Sequence, residues 1–234
     1  MNIELDMLRQ PSDSSCGPTC LHAIYRFFGQ DHDLHALIDE IHQFEEGGTI
    51  SVHLAIDALD RGFQTTLYTY NLRIFDPTWW NLTRAEFLTR LKERTRHLEL
   101  PKDIEAHQAY VDYLQRGGIL RLADLSPYLL EHLVSRREPI LVGLSSTYLY
   151  QSIRETPDCK DNDIAGWPVG HFVVMTGYHA DTEEVVVTDP FGKNPFNPHG
   201  VYRVDVHRFI NAVLLGIMTY DANLLIISNT AHQP

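Results

Sequence analysis

The chain has 234 residues, a formal net charge of −12, 44% hydrophobic and 21% charged residues. That composition excludes a largely disordered chain, and the length suffices to bury a core without disulfide or metal staples. The acidic balance argues against nucleic acid or an anionic membrane surface as partner, because both attract basic surfaces.

No run approaches the roughly 20 apolar residues that span a bilayer. The longest candidate, Phe209 to Tyr220, is broken by Asn211 and Gly216. The first ten residues hold Glu4, Asp6 and Arg9 and lack the basic start and apolar stretch of a signal peptide. Three cysteines, Cys16, Cys20 and Cys159, then predict reduced thiols and a cytoplasmic setting.

In chain order, Pro18 fits the first turn of a helix running to about Phe28 and ended by Gly29. A second helix follows Asp33, with Leu34, Leu37, Ile38 and Ile41 on one face. Ser51 reads as the N-cap of a third, carrying Val52, Ala55, Ile56 and Leu59 and stopped by Gly62. Phe63 to Tyr70 has strand composition. Thr83 and Glu86 form a capping-box pattern ahead of Phe87, Leu88 and Leu91. Pro101 opens a helix with Ile104, His107, Val111 and Leu114 on one face, ended by Gly117-Gly118, and Ser126-Pro127 opens a short one to about Arg136.

The second half is rich in β-branched runs. Ile140 to Ser145, Phe172 to Tyr178, Glu184 to Thr188, Val201 to Val206 and Leu224 to Ser228 read as strands. The second and third of these form an antiparallel hairpin around the polar turn His179 to Glu183. Thr147 to Pro168 lacks periodicity and reads as a long loop of functional or mobile character. Helices first and strands later predict an α+β fold.

Cys16 lies at the mouth of the first helix, where free N–H groups and the helix dipole favour an anion. A thiol there is expected to have a lowered pKa, and Gly17 beside it leaves room for a substrate backbone; the alternative is a structural cysteine. Cys20, one turn deeper, reads as structural. His171 opens an apolar strand beside the long loop, and Asp189 ends the partner strand before Pro190. In an antiparallel hairpin these positions meet at one end of the sheet, where the carboxylate could orient the imidazole. Their bland alternatives are a solvated histidine and a turn-forming Asp. Gln10, six positions before Cys16, has an amide able to donate to an oxyanion.

Taken together, Gln10, Cys16-Gly17-Pro18-Thr19-Cys20-Leu21, Gly170-His171-Phe172-Val173-Val174 and Val187-Thr188-Asp189-Pro190 resemble the peptidase C39-like group of papain-fold cysteine proteases, in its stand-alone bacterial form. The resemblance implies a papain-like α+β fold over 1–234, with a helical lobe of about 1–136 packed on an antiparallel sheet of about 137–234. The segment of about 71–118 is an insertion relative to the minimal pattern. It implies Cys16 as nucleophile, His171 as general base and acid, Asp189 as its orienting partner and Gln10 as oxyanion donor, with Gly17 and Gly170 against the substrate. The expected reaction is acyl transfer from a peptide or amide through a thioester, a cysteine peptidase or amidohydrolase. An acyltransferase with the same intermediate, or a non-catalytic peptide binder, are the alternatives.

No cofactor and no metal is expected. Asp158, Asp161 and Asp163 with Asn162 lack the glycine and terminal Glu of a calcium loop. Cys16, Cys20 and His22 lack a second zinc-ligand pair. No Gly-rich phosphate loop occurs. Trp79-Trp80 and Tyr148 to Tyr150 either line a cleft or pack.

Overall fold

The computed structural model describes residues 2–45 and 47–229. Among them, seven strands form one sheet: β1 (Gln64–Thr69), β2 (Ile119–Arg121), β3 (Ile140–Ser145), β4 (Gly170–His179), β5 (Glu184–Thr188), β6 (Val201–Asp205) and β7 (Asn223–Ser228). Their spatial order is β2-β1-β7-β3-β4-β5-β6. All neighbours run antiparallel except β1 and β2, which are parallel. The hairpin of β4 and β5 carries a register shift between Met175 and Gly177, the kind of bulge that bends a strand.

Eight α-helices accompany the sheet among the described residues: α1 (Cys16–Phe27), α2 (Leu34–Glu40), α3 (Ser51–Asp60), α4 (Arg84–Thr95), α5 (Pro101–Gln115), α6 (Pro127–Val134), α7 (Ser146–Tyr150) and α8 (Val206–Leu215). Local signals set most of their ends. Asp33 caps α2 by accepting from Ala36 N–H, Thr83 and Glu86 complete a capping box on α4, and Ser126 caps α6 at Leu129 N–H. Gly62, at φ 88°, ends α3 in the left-handed conformation. The fold is the α+β papain-like arrangement.

The sheet buries both faces. One core joins Leu21, Ile24 and Tyr25 of α1 to Leu54 of α3, Tyr110 of α5 and Leu67, Leu141 and Leu225 of the sheet. The other joins Leu130 and Leu133 of α6 and Phe209 and Val213 of α8 to Val142, Val173, Val187 and Leu224. The two parts of the chain interleave across residue 136. β1 and β2, from the first part, extend the sheet; α6, also from the first part, joins α8 in the core on the far face. The segment 71–118 is built into the first core through Ile74, Phe75, Phe87, Leu91 and Tyr113.

Three local expectations are corrected. Ser51 is the first residue of α3, not its cap; Ile50 holds that position, and the Ser51 hydroxyl is buried without a partner. The buried face of α5 runs through Ala106, His107, Ala109, Tyr110, Tyr113 and Leu114, with Ile104 and Val111 only half-buried. Both of its tyrosines bury their rings, and the Tyr113 hydroxyl finds partners in the carbonyls of Thr65 and Ile119. The long loop is also less loose than its composition suggests. Ser146–Tyr150 form α7, and Glu155 exchanges backbone hydrogen bonds with Trp167 at 3.1 and 2.8 Å. Within it Asn162 Oδ1 accepts from Ile164 and Ala165 N–H, and Asp158 pairs with Lys160 at 2.5 Å.

Candidate active site

α1 begins at Cys16, and no side chain caps it. The Ser15 hydroxyl, in the capping position, instead donates back to the Ser12 carbonyl at 2.9 Å, and Pro18 has no N–H to leave unpaired. The helix therefore presents its first backbone N–H groups at the residue that carries the sulfur. Gly17 is buried; a Cβ on it would lie 3.0 Å from Phe172 and Thr49 side-chain atoms and 3.1 Å from Leu54. Its small size thus lets α1 lie close against β4 and α3.

His171 is the second residue of β4, and Asp189 directly follows β5. His171 Nε2 and Asp189 Oδ1 are 2.9 Å apart, and both side chains are buried. Oδ1 also accepts the Phe191 N–H at 2.9 Å, while Oδ2 accepts the Tyr150 and Tyr202 hydroxyls at 2.6 and 2.7 Å. Four donors around one buried carboxylate keep it ionised: burial alone would raise its pKa, but the charge and hydrogen bond of His171, with Tyr150 and Phe191, hold it below the usual range. Burial likewise opposes a charged His171. The Asp189 charge and hydrogen bond outweigh it, with Cys16 adding in the same direction, so the imidazole pKa is raised.

Cys20 is set apart by its surroundings. Burial, then the nearby Cys16 and Asp189, push its thiol well above the ordinary value, and its S–H donates to the Phe172 carbonyl at 3.3 Å. His22 Nε2 is held at 2.9 Å by the His32 carbonyl.

The N-terminal segment crosses the sheet, with Ile3 N–H on the Thr176 carbonyl and Gln10 N–H on the Pro190 carbonyl at 3.0 Å. That places Gln10 beside the turn after Asp189. Its side-chain Nε2 donates to Ser12 O at 2.9 Å, so one of its two amide N–H groups is engaged, and its Oε1 is buried without a partner.

A cleft of about 170 Å³ opens at Cys16. The segment between α2 and α3 forms one wall with Phe44, Gly48 and Thr49, and Gly170 and Asp221 form another. A Cβ on Gly170 would come within 2.5 Å of Asp221 Oδ2 and 2.6 Å of Thr219 Oγ1, so glycine there is what admits the Asp221 side chain.

Sequence reasoning missed Tyr202 and Asp221 and left Tyr150 undecided. Tyr202 had a usable signal: β6 alternates exposed and buried, which puts Tyr202 and Val204 on the inner face, and a buried tyrosine hydroxyl needs a partner. Asp221 had none, since it sits in a short polar stretch between a 3₁₀ turn and β7.

No family model matches the chain, and no curated protein matches it. Among solved structures, a protein described as a C39-like peptidase from Bacillus anthracis aligns at a TM-score of 0.53 with 14% identity, over 97% of this chain and 97% of that one. The peptidase domain of Streptococcus ComA, a bifunctional ABC transporter of a quorum-sensing pathway, aligns at 0.46 with 13% identity over 97% and 100%. A double-glycine-motif protease of an AMS/PCAT transporter, solved with its leader peptide, aligns at 0.48 with 11% identity over 98% and 94%. The chain shares the fold of the Bacillus anthracis protein; the other two likenesses are weaker. Among the described residues no helix is long and apolar enough to cross a membrane.

Proposed function

We propose that the protein is a cysteine peptidase or amidohydrolase that cleaves a peptide or amide by Cys16-His171-Asp189 chemistry. The observation that carries this reading is the buried His171–Asp189 pair at 2.9 Å, beside a sulfur at an uncapped helix mouth. A buried histidine that needed only a structural partner would not require a carboxylate bound by three further donors.

In this mechanism Cys16 Sγ attacks the substrate carbonyl carbon as the thiolate, and the C=O electrons move onto oxygen. Backbone N–H at the α1 mouth and the remaining amide N–H of Gln10 are the donors assigned here to that oxyanion. His171, already carrying a proton, gives it to the leaving amine as the C–N bond breaks. Water then attacks the thioester, His171 takes its proton, and the S–C bond breaks to free the acid and the thiol sulfur. Asp189 holds the ring in place throughout and stabilises its charged form. Cys20 takes no part, because its thiol stays neutral.

The test is an electrophilic peptide probe applied to a Cys159→Ser background, since Cys159 is an exposed free thiol. Intact-mass and peptide mapping are expected to find the adduct on Cys16, and Cys16→Ala is expected to abolish turnover with an unchanged circular dichroism spectrum. Hydrolysis that persists in Cys16→Ala would remove it as nucleophile.

A further inference from the structure

Away from Cys16, a larger cavity of about 400 Å³ lies between α3 and α5 and the residues that follow α2. Three side chains from three separate elements converge on it: His42 after α2, His53 on α3 and Glu105 on α5. Each offers one ligand atom, and these atoms all lie within 4.8 Å of one another. His42 Nε2 and Glu105 Oε1 are 2.5 Å apart, and the two imidazole rings meet edge to face at 4.6 Å.

We propose that His42, His53 and Glu105 bind one first-row divalent transition metal ion, with Zn²⁺ the best-fitting species. The donor set decides the class. Two imidazoles and one carboxylate suit zinc and its neighbours, whereas Mg²⁺ and Ca²⁺ take oxygen ligands. Three protein ligands facing a cavity leave a fourth position for water.

Geometry permits it. Zinc holds nitrogen and oxygen ligands at about 2.0–2.2 Å, so tetrahedral partners sit about 3.3 Å apart. The His42–Glu105 pair must open by less than an ångström from its 2.5 Å contact, and the widest pair must close from at most 4.8 Å. His42 and Glu105 have the freedom to do this, with side chains 59% and 37% exposed, while His53 is held by burial. Other carboxylates around the cavity are already paired: Glu40 and Asp57 with Arg61, and Asp60 and Asp112 with Arg116. They leave the histidines and Glu105 as the set aimed at a common point.

Such an ion would cross-link the segment between α2 and α3 to α3 and α5. That segment supplies Phe44, Gly48 and Thr49 to the Cys16 cleft, and the Thr49 hydroxyl donates to the His42 carbonyl at 2.8 Å. Metal at the trio would therefore stiffen one wall of the cleft.

The experiment uses the chelator-treated 234-residue chain carrying Cys16→Ala and Cys159→Ser, so that neither thiol can bind the ion. Calorimetry with Zn²⁺ and absorption with Co²⁺ are expected to give one ion per chain, unaffected by millimolar Mg²⁺. Glu105→Gln, His42→Gln and His53→Gln should each weaken binding at least tenfold, since loss of a ligand exceeds the roughly 10–100-fold cost of losing an outer partner. Glu105→Gln and His42→Gln alter partly exposed side chains, so the question is decided even if His53→Gln fails to fold. Amide exchange at Gly47, Gly48 and Thr49 should slow on Zn²⁺ addition. Absence of stoichiometric binding, binding that survives Glu105→Gln and His42→Gln, or equal competition by Mg²⁺ would overturn the site. With Cys16 removed, none of these outcomes bears on its role as nucleophile.

Discussion

Asp221 is packed against Gly143 and Gly170, with Oδ2 accepting the Thr219 hydroxyl at 3.0 Å and Oδ1 buried without a partner. Burial raises its pKa to about 8, although Thr219, His171 and Lys102 each pull the other way. An unfolded Asp titrates near pH 4. Between about pH 4 and pH 8 the folded chain therefore keeps a proton that the unfolded chain has lost, and stability falls by up to about 1.4 kcal/mol per pH unit as pH rises. Asp221→Asn removes that slope. Urea unfolding should show the variant gaining on the parent between pH 5 and pH 8 by up to about 4 kcal/mol; the same difference at both values would contradict a buried protonated carboxyl. At this scale Cys16, His171 and Asp189 were legible because each sits at the end of a recognisable run. The hydroxyls of Tyr150 and Tyr202 were not, since their common target is a single carboxylate oxygen brought to both by folding.

Among the elements, α5 shows how a helix from the 71–118 segment is locked to the sheet. The Tyr113 hydroxyl lies within 3.1 Å of the Thr65 carbonyl and hydroxyl and of the Ile119 carbonyl and N–H, joining α5 to β1 and β2. Gly118 makes room for that ring: a Cβ there would sit 2.2 Å from Tyr113 Cε2. Gly118→Ala should push the ring out of place and cost about 1–3 kcal/mol, the usual range for overpacking. Thermal unfolding would register it, and an unshifted melting temperature would show that the ring has freedom to move. Caps and glycine stops marked most helix ends in advance, because they are local chemistry. β2 was not foreseen; three residues carry no period, and only pairing with β1 makes them a strand.

For the whole molecule the decisive strand is the last. β7 lies between β1 and β3, antiparallel to both, so the described chain ends in the middle of its own sheet. Leu225 and Ile227 face one core and Leu224 and Ile226 the other, as the two-residue alternation of a strand requires. A chain ended at Tyr220 would separate the β1–β2 pair from the four strands β3–β6 and uncover both cores. It should lose the cooperative urea transition of the full chain; a retained transition of equal midpoint would mean that β7 contributes little.

By itself the sequence determined what short-range chemistry dictates: helix starts at Asp33, Thr83 and Ser126, the alternation of apolar strands, and a sulfur at the mouth of a helix. It also ordered Gln10, Cys16, His171 and Asp189 along the chain. Tertiary structure alone decided which strands became neighbours, that α6 and α8 share the core across the sheet from α1, and that two tyrosines share the oxygen of Asp189. The same holds for the meeting of His42, His53 and Glu105. Contacts between residues far apart in the chain depend on the summed packing of both cores, and no local pattern encodes that sum.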